Sequence, residues 1–281
     1  MDNVDAREGV WDFAGPNTNV WPTGFNQVND GRSRLSFVTD GEFVFLVFRD
    51  GFNHLNFVEV KKTKVNGRVA YTPGIWKDFR DQSSDPISID ILGNATYNRG
   101  FFYIIYTIVD DAHIFFAKIS IRDLPSTSQP FILTCVKRDK QIDSTTVDAP
   151  TIAYWQGKLC YCYGFDSDSR IGSGAVDLDL NNKEERSADN NRAKGGMTLC
   201  ATPDKLYLTY LDNQGGDRRG VWRTERINIG DTGDWHNPTH MDSKCGGGTS
   251  SSSPPVMVNY RFGQLLLWKG DNDAIEISAS L

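Results

Sequence analysis

Side chains that can carry a positive charge recur at one fixed distance from a predicted turn in this 281-residue chain. His54, His113 and Arg170 each lie thirteen positions after a glycine that we place in such a turn. The chain has only four histidines, so half of them occupy this one equivalent position. An imidazole can exchange a proton near neutral pH, and a guanidinium can stabilise a developing negative charge. The spacing therefore predicts a ring of polar groups suited to acid–base chemistry or to binding a polar ligand.

Further charged candidates lie at corresponding places in the chain. Arg49 and Lys269 belong to loops of the same kind, and the cation of the fourth loop, Arg218 or Arg219, is displaced by a residue or two. Three more charged side chains come where a strand is about to begin, namely Asp85, Asp148 and Lys194. The competing interpretation is that such polar residues only end strands and face water.

Aromatic side chains are candidates for the walls of the same opening. They are Tyr97, Trp155, Tyr260 and Trp268. Aromatic faces suit flat or apolar ligands and the faces of sugar rings alike. The alternative is that these rings pack as core between neighbouring structural units.

Five segments of one design position these residues. Each has a short apolar strand, a tight turn, a second aromatic-rich strand, a polar loop and a third alternating strand. We predict the turns at Gly41, Gly100, Gly157, Asp204 and Gly263. The five segments are residues 36–60, 95–121, 151–178, 197–227 and 256–281. No long stretch with a 3.6-residue period competes, so the chain is predicted to be all-β.

A unit that recurs every 47 to 59 residues is typical of a β-propeller, whose small sheets bury their faces against neighbouring blades. Five units predict a five-bladed propeller that forms a single domain. The approximate blade boundaries within residues 1–281 are 33–80, 86–135, 146–188, 195–238 and 251–281. A β-sandwich with long loops is the alternative, but two packed sheets give no reason for five similar units.

The last blade needs a strand from elsewhere in the chain. PGIWKDF (73–79) and GDWHNP (233–238) supply a tryptophan after the third strand of the first and fourth units, but the fifth unit has no such strand before Leu281. EGVWDF (8–13) resembles PGIWKDF and precedes the first unit. We therefore predict that an N-terminal strand at 8–14 pairs into the last blade and closes the ring, which removes an exposed edge.

The predicted fold brings the candidate residues together. In a propeller the first strand of each unit lines the central channel, and the loops between second and third strands lie at one mouth of that channel. His54, His113 and Arg170 all belong to such loops. They are therefore expected to converge on one opening.

Charge and composition restrict the possible partners. The chain has 30 basic and 36 acidic residues, a formal charge of −6 and a pI near 5.3, the wrong sign for binding nucleic acid or an anionic membrane. No segment has the roughly 18 apolar residues that a membrane helix needs, and the N-terminus does not follow the signal-peptide pattern. We expect a cytoplasmic protein with no cofactor, no nucleic-acid or membrane partner, and a small molecule or a sugar as its ligand.

The five cysteines do not form a recognisable framework. They are odd in number and dispersed, so neither disulfides nor a zinc site is predicted. The loop DSDSRIGSG (166–174) lacks the third acidic position of a calcium loop. We expect free thiols and no metal.

One unit resembles a known group of repeats. SPPVMVNYRFGQLLLWKGDNDAIEISAS (253–280) is similar to the repeat of sialidase-like and fungal fucose-lectin-like propellers, in which a proline and an apolar strand precede a G-K-L-Y-type strand. GKLCYCY and DKLYLTY match the same pattern. As architecture the resemblance covers nearly the whole chain. It implies either sugar binding or, as in five-bladed lectin-like fungal proteins, natural-product cyclisation that includes hetero-Diels–Alder reactions.

Differences between the sequences of the five blades favour an enzyme over a lectin. A multivalent lectin gains avidity from near-identical sites, whereas the five loops here differ in length and sequence. We therefore predict a small-molecule enzyme, a cyclase with one site in the central mouth. In that site His54 or His113 would transfer a proton. Arg170 or Lys269 would stabilise the oxyanion charge that develops.

Two other functions stay open. The first is a carbohydrate-binding lectin, which would use the same cations and aromatic rings to hold hydroxyl groups and a sugar face. The second is a propeller glycosidase, which needs two or three inward carboxylates that include a general acid. Asp85 and Asp148 are the candidates for those carboxylates.

Overall fold

The computed structural model describes the chain in a series of segments separated by short gaps. The described residues are 36–39, 44–65, 68–78, 88–123, 131–146, 148–165, 167–181, 183–212, 219–229, 235–241, 250–251, 255–260, 263–269 and 275–280. Within these ranges every regular secondary-structure element is a β-strand, as the repeat predicts. No helix among these residues is long and apolar enough to cross a membrane.

Blades 1 and 2 are four-stranded antiparallel sheets whose strands are adjacent in chain order. Blade 1 consists of β1 (Ser36–Thr39), β2 (Val44–Arg49), β3 (Leu55–Val65) and β4 (Arg68–Asp78). Blade 2 consists of β5 (Leu92–Asn98), β6 (Phe101–Ile108), β7 (Asp111–Asp123) and β8 (Phe131–Thr145). The second strands, VFLVFR and FFYIIYTI, are apolar nearly throughout because both faces of a blade are covered by other parts of the chain.

Blades 3 and 4 share one long strand. Blade 3 begins with β9 (Thr151–Trp155), β10 (Lys158–Gly164) and β11 (Arg170–Val176). The shared strand is β12 (Lys183–Ala201), which pairs first with β11 and then, from Ala193 onward, with the next strand. Blade 4 continues with β13 (Leu206–Asp212), β14 (Arg219–Arg226) and β15 (His236–His240), while β16 (Ser250–Ser251) pairs with the start of β14.

Blade 5 has three described strands, which are β17 (Val256–Tyr260), β18 (Gly263–Lys269) and β19 (Ile275–Ser280). The N-terminal strand expected at 8–14 lies outside the described residues, so its pairing into this blade stays a prediction. The first strands β1, β5, β9, β12 and β17 are neighbours in that order. The architecture is the predicted five-bladed β-propeller.

The predicted turns are confirmed in blades 2 and 3. Gly100 and Gly157 both have φ of 86°, a left-handed conformation that favours glycine, and the residue before each is left-handed as well. In blade 5 the prediction was wrong, because Gly263 pairs with Tyr260 as the first residue of β18 and so belongs to the strand. Gly41 lies outside the described residues.

The core consists of clusters between successive blades. Phe45, Phe57 and Phe102 pack between blades 1 and 2. Corresponding clusters lie between blades 2 and 3, blades 3 and 4, and blades 4 and 5. Successive residues along a strand therefore point toward opposite neighbouring blades. Side chains that do not pack between blades in this way lie at the ends of the sheets.

Polar side chains also join the inner strands. Asn94 in β5 exchanges two hydrogen bonds with the backbone of Ile152 in β9, at 2.6 and 2.9 Å. Thr151 Oγ1 accepts a bond of 3.0 Å from the Leu199 amide in β12. The Thr198 hydroxyl donates to the Pro255 carbonyl at 2.7 Å, next to β17. Each bond connects one blade to the following one near the channel.

Candidate functional site

Three loops at one end of the propeller carry the recurring cations. We call the segments 50–54, 109–113 and 165–170, which connect the second and third strands of blades 1 to 3, the mouth loops. Each loop ends on a residue that pairs with the segment leading into the next blade. The three pairs are His54 with Ser88, His113 with Thr145, and Arg170 with Arg192. His54, His113 and Arg170 are therefore structurally equivalent, as their spacing predicts.

An aspartate in each mouth loop holds the cationic residue by its backbone and contacts its side chain. In blade 1 the His54 amide donates to Asp50 Oδ1 at 2.8 Å, and His54 Nδ1 lies 3.7 Å from Asp50 Oδ2. Asn56 fixes the same carboxylate by donating to Oδ2 at 3.0 Å. Asp50 and Asn56 are buried, so the imidazole is held by groups that have few other positions available.

The same arrangement recurs in blades 2 and 3. The His113 amide donates to Asp111 Oδ1 at 2.9 Å, and the Arg170 amide donates to Asp168 Oδ1 at 3.0 Å. In addition, His113 Nδ1 contacts Asp111 Oδ1, and Arg170 Nε donates to Asp168 Oδ2. We call Asp50–His54 and these two pairs the aspartate pairs.

The hydrogen bonds also stabilise the charged carboxylates. The pKa of Asp111 is lowered, first by the backbone amide of His113 and then by its side chain. The pKa of Asp168 is lowered chiefly by the backbone amide of Arg170. Both aspartates are therefore anionic at neutral pH and can accept further hydrogen bonds.

Among its described residues, each mouth loop contains one non-glycine residue in the left-handed region. These are Asn53, Asp110 and Ser169, with φ of 65°, 63° and 61°. Asn and Asp tolerate this region better than other side chains do, whereas serine has no such preference. Strained backbone of this kind clusters at binding and catalytic sites, where the surrounding hydrogen bonds maintain it.

The mouth loops expose side chains to solvent. The side chains of His54, His113 and Arg170 are 33%, 35% and 44% exposed. Phe52 is 73% exposed, and its ring stacks on that of His54 with centroids 6.2 Å apart. Arg170 lies 6.0 Å from the centroid of Phe165. Two of the three loops thus place an aromatic face beside an aspartate pair.

Arg49 has a structural partner at the same end of the blade. It is buried, and its Nη1 donates to the Asp90 carbonyl at 2.6 Å and lies 3.6 Å from the Asp90 carboxylate. Asp90 lies in the segment that enters blade 2. The contact ties the end of β2 to that segment, so Arg49 positions the mouth and is less accessible to a ligand than the three loop cations are.

Asp148 lies in the corresponding segment that enters blade 3. It is half-buried and closes a short turn with Thr146, whose hydroxyl donates to the Asp148 carbonyl at 2.9 Å. Its carboxylate lies beside Gly164, the last residue of β10. Asp148 is thus at the predicted end of the blade but outside the aspartate pairs.

The aromatic candidates that can be examined belong to the core. Trp155 is 2% exposed, packs between blades 3 and 4 and lines a small cavity there with Cys160 and Arg226. The Tyr97 hydroxyl accepts a 2.9 Å bond from the Gly100 amide. Both residues lie near the turns that end the first strands, at the opposite end from the mouth loops. The structure therefore places them away from the mouth that they were expected to wall.

The remaining predicted residues cannot be placed in the site by their side chains. Asp85 and Arg218 lie outside the described residues. The backbones of the other four lie in β12, β17 and β18, and their side chains are outside the described part: Lys194, Tyr260, Trp268 and Lys269. Their proposed roles stay predictions.

The aspartates of the aspartate pairs were not among the residues predicted from the sequence. Asp111 and Asp168 come two residues before the cation, and Asp50 comes four residues before it. The pattern Asp-x-His or Asp-x-Arg in two loops was the available signal, because an aspartate two residues before an amide commonly accepts from it in a turn.

Solved structures with the same fold exist, although no protein-family model and no curated protein sequence matches the chain. AofleA from Arthrobotrys oligospora superposes with a TM-score of 0.62 and 9% identity over 93% of this chain and 75% of that one. An alpha-L-arabinofuranosidase from Clostridium thermocellum gives a TM-score of 0.51 and 10% identity over 87% and 88%. A Cellvibrio cellulosa alpha-L-arabinanase gives 0.51 and 12% over 88% and 90%. At such identities the likeness shows the five-bladed propeller fold alone.

One further match concerns a longer protein. GH43B of a Bacteroides ovatus xyloglucan PUL is matched over 88% of this chain, at 13% identity and a TM-score of 0.48, and this chain spans only 52% of that one.

Proposed function

We propose that this protein binds carbohydrate through repeated sites at the mouth loops. The observation that carries the proposal is the aspartate pair, which occurs at an equivalent position in three successive blades. A repeated site is what a multivalent carbohydrate-binding propeller requires, because several weak sites on one scaffold give high avidity.

The chemistry of each pair suits neighbouring hydroxyl groups. A carboxylate accepts hydrogen bonds, and an imidazole or guanidinium beside it donates them, so one pair can satisfy two adjacent hydroxyls of a sugar ring. Phe52, which is 73% exposed, supplies an apolar surface beside the Asp50–His54 pair, against which the C–H face of a sugar can pack. Hydrogen bonding and stacking are thus available at one place.

The recurrence of the aspartate pairs supports repeated sites over a single asymmetric one. Asp50 precedes its cationic residue by four positions and Asp111 and Asp168 precede theirs by two, yet all three accept from the backbone amide of that residue. The blades therefore resemble one another in the contacts of the aspartate pairs, which a ligand at the mouth would meet. This supports the carbohydrate-binding alternative over the cyclase.

A cyclase is the second candidate, and one observation favours it. Asp111 contacts His113 Nδ1, which fixes the orientation of the imidazole and leaves the other ring nitrogen, Nε2, to exchange a proton with a substrate. In that mechanism Arg170 would stabilise oxyanion charge. Such an enzyme would convert a small molecule and would have no need of the repeated pairs.

An array of immobilised glycans separates the two functions. We expect the wild type to bind a subset of neutral glycans, and His113→Ala and Arg170→Ala each to lower the apparent affinity by about tenfold, since each removes one of several cooperating sites. His236→Ala is the matched control, because His236 is exposed at the end of β15 that lies away from the mouth loops. A wild type that binds no glycan but converts small molecules from extracts of its host would contradict the proposal and support the cyclase.

A further inference from the structure

In blade 4 a glycine, Gly220, occupies the ladder position that Arg170 has in blade 3. Arg170 precedes Ile171, the partner of Gly164, and Gly220 likewise precedes Val221, the partner of Leu211. Two residues of blade 4 pair with the segment that enters the next blade, Gly220 opposite Ser250 and Arg219 opposite Ser251. The side chain of Arg219 and the whole of Arg218 lie outside the described part of the chain.

The space above Gly220 is filled by an imidazole from the neighbouring strand. A Cβ atom at position 220 would overlap His240 Nε2 and would lie 3.4 Å from Trp222 Nε1. His240 is the last residue of β15 and pairs with Trp222 on β14, so the sheet register delivers it to the mouth end of the blade. Glycine at 220 is thus the condition that lets the imidazole of His240 lie over the start of β14.

We propose that His240 and Trp222 form a fourth carbohydrate-binding site at the same mouth, an inference that rests on the proposed function. Both side chains are half-buried, and their rings lie 5.1 Å apart at 56°. The imidazole and the indole N–H provide polar groups, and the indole provides an apolar face larger than that of phenylalanine. The site therefore combines a histidine and an aromatic ring, as the first mouth loop does with His54 and Phe52, although here both come from strands.

Gly220→Ala is the most direct way to remove the imidazole without removing the histidine. The added methyl group meets the far end of a side chain, which can rotate away, and Gly220 has no left-handed φ that alanine would resist. We expect Gly220→Ala to shift the ring-proton resonances of His240 in NMR spectra while those of His54 and His113 stay in place. Four histidines give a spectrum that single His→Ala variants can assign.

The binding test uses the full chain and methyl glycosides of xylose, arabinose, fucose, galactose, glucose and mannose as probes. With at least one of them we expect concentration-dependent shifts at His240 as well as at His54 and His113, and no shift at His236. Gly220→Ala and Trp222→Phe should each weaken binding at His240 by about tenfold while leaving His54 and His113 unchanged.

Two failures can be told apart. Shifts at His54 and His113 without any at His240 would overturn the fourth site and leave the proposed function standing. No shift at any of the three with any glycoside would overturn the proposed function, and the fourth site with it.

Discussion

In each mouth loop one aspartate accepts from the backbone amide of the cationic residue and contacts its side chain. Asp111 accepts from the His113 amide and contacts its imidazole, and Asp168 does the same for Arg170. The cations were predictable because they recur at constant spacing. The aspartates were missed: Asp111 and Asp168 align two residues before their partners, but Asp50 comes four residues before its own, so only two loops share the pattern.

Replacing Asp111 should change how stability depends on pH. Hydrogen bonds from His113 lower the pKa of Asp111 below its ordinary 3.8, so the native state favours the ionised carboxylate. Its stabilising contribution is therefore complete above that ordinary value and is lost as the pH falls through the lower folded-state pKa. We expect Asp111→Asn to show a smaller drop in thermal midpoint than the wild type between about pH 5 and pH 2. A variant whose thermal midpoint falls as steeply as that of the wild type over this range would contradict the role of Asp111.

Ser169 is held in a backbone conformation that glycine adopts more readily. Relief of the left-handed strain is worth about 1–2 kcal/mol, and the greater freedom of glycine in the unfolded chain costs about 0.5–1 kcal/mol. Ser169→Gly should therefore raise the free energy of unfolding by about 0.5–1 kcal/mol in denaturant titrations. Ser167→Gly in the same loop serves as the comparison and should be neutral or destabilising. A Ser169→Gly variant less stable than the wild type would refute strain at this position.

At the scale of elements, the hairpins could be predicted and the links between blades could not. Alternating apolar residues and glycine turns define β5 with β6 and β9 with β10 from local sequence alone. The bonds made by Asn94, Thr151 and Thr198 cross from one blade to the next, so no local pattern reports them. Their common position six residues before the predicted turns was nevertheless visible in the aligned units.

Thr151→Val tests whether these bonds hold the inner ring together. Thr151 is fully buried and its hydroxyl accepts from the Leu199 amide, so valine keeps the volume but leaves that buried N–H without its acceptor. The free energy of unfolding should fall by about 1–3 kcal/mol in denaturant titrations. Thr96→Val, at a half-buried position of β5, should cost less. Equal effects of the two substitutions would mean that the bond contributes nothing specific.

At the scale of the molecule, five repeats predicted five blades because each small sheet must cover its faces with neighbours. The position of the ring closure was inferred from the likeness of EGVWDF to PGIWKDF, and residues 8–14 lie outside the described part. The recurrence of the cations at the mouth was visible in their constant spacing, whereas the aspartates that hold them became evident only from contacts.

Deleting residues 1–14 tests the closure. If strand 8–14 completes blade 5, the deletion unpairs an edge and uncovers an apolar face, so the whole ring should lose stability. We expect the thermal midpoint to fall in a single cooperative transition. A truncated protein that melts at the wild-type temperature would rule the closure out.

Repeated carbohydrate binding at the mouth is the central claim, and the stoichiometry of binding tests it most directly. The measurement is an isothermal titration of the full chain with the soluble form of the glycan that gives the strongest array signal. The account predicts more than one molar equivalent bound per chain, reduced in steps by His54→Ala, His113→Ala and Arg170→Ala. A single equivalent that all three substitutions abolish together would contradict repeated sites and point to one central site.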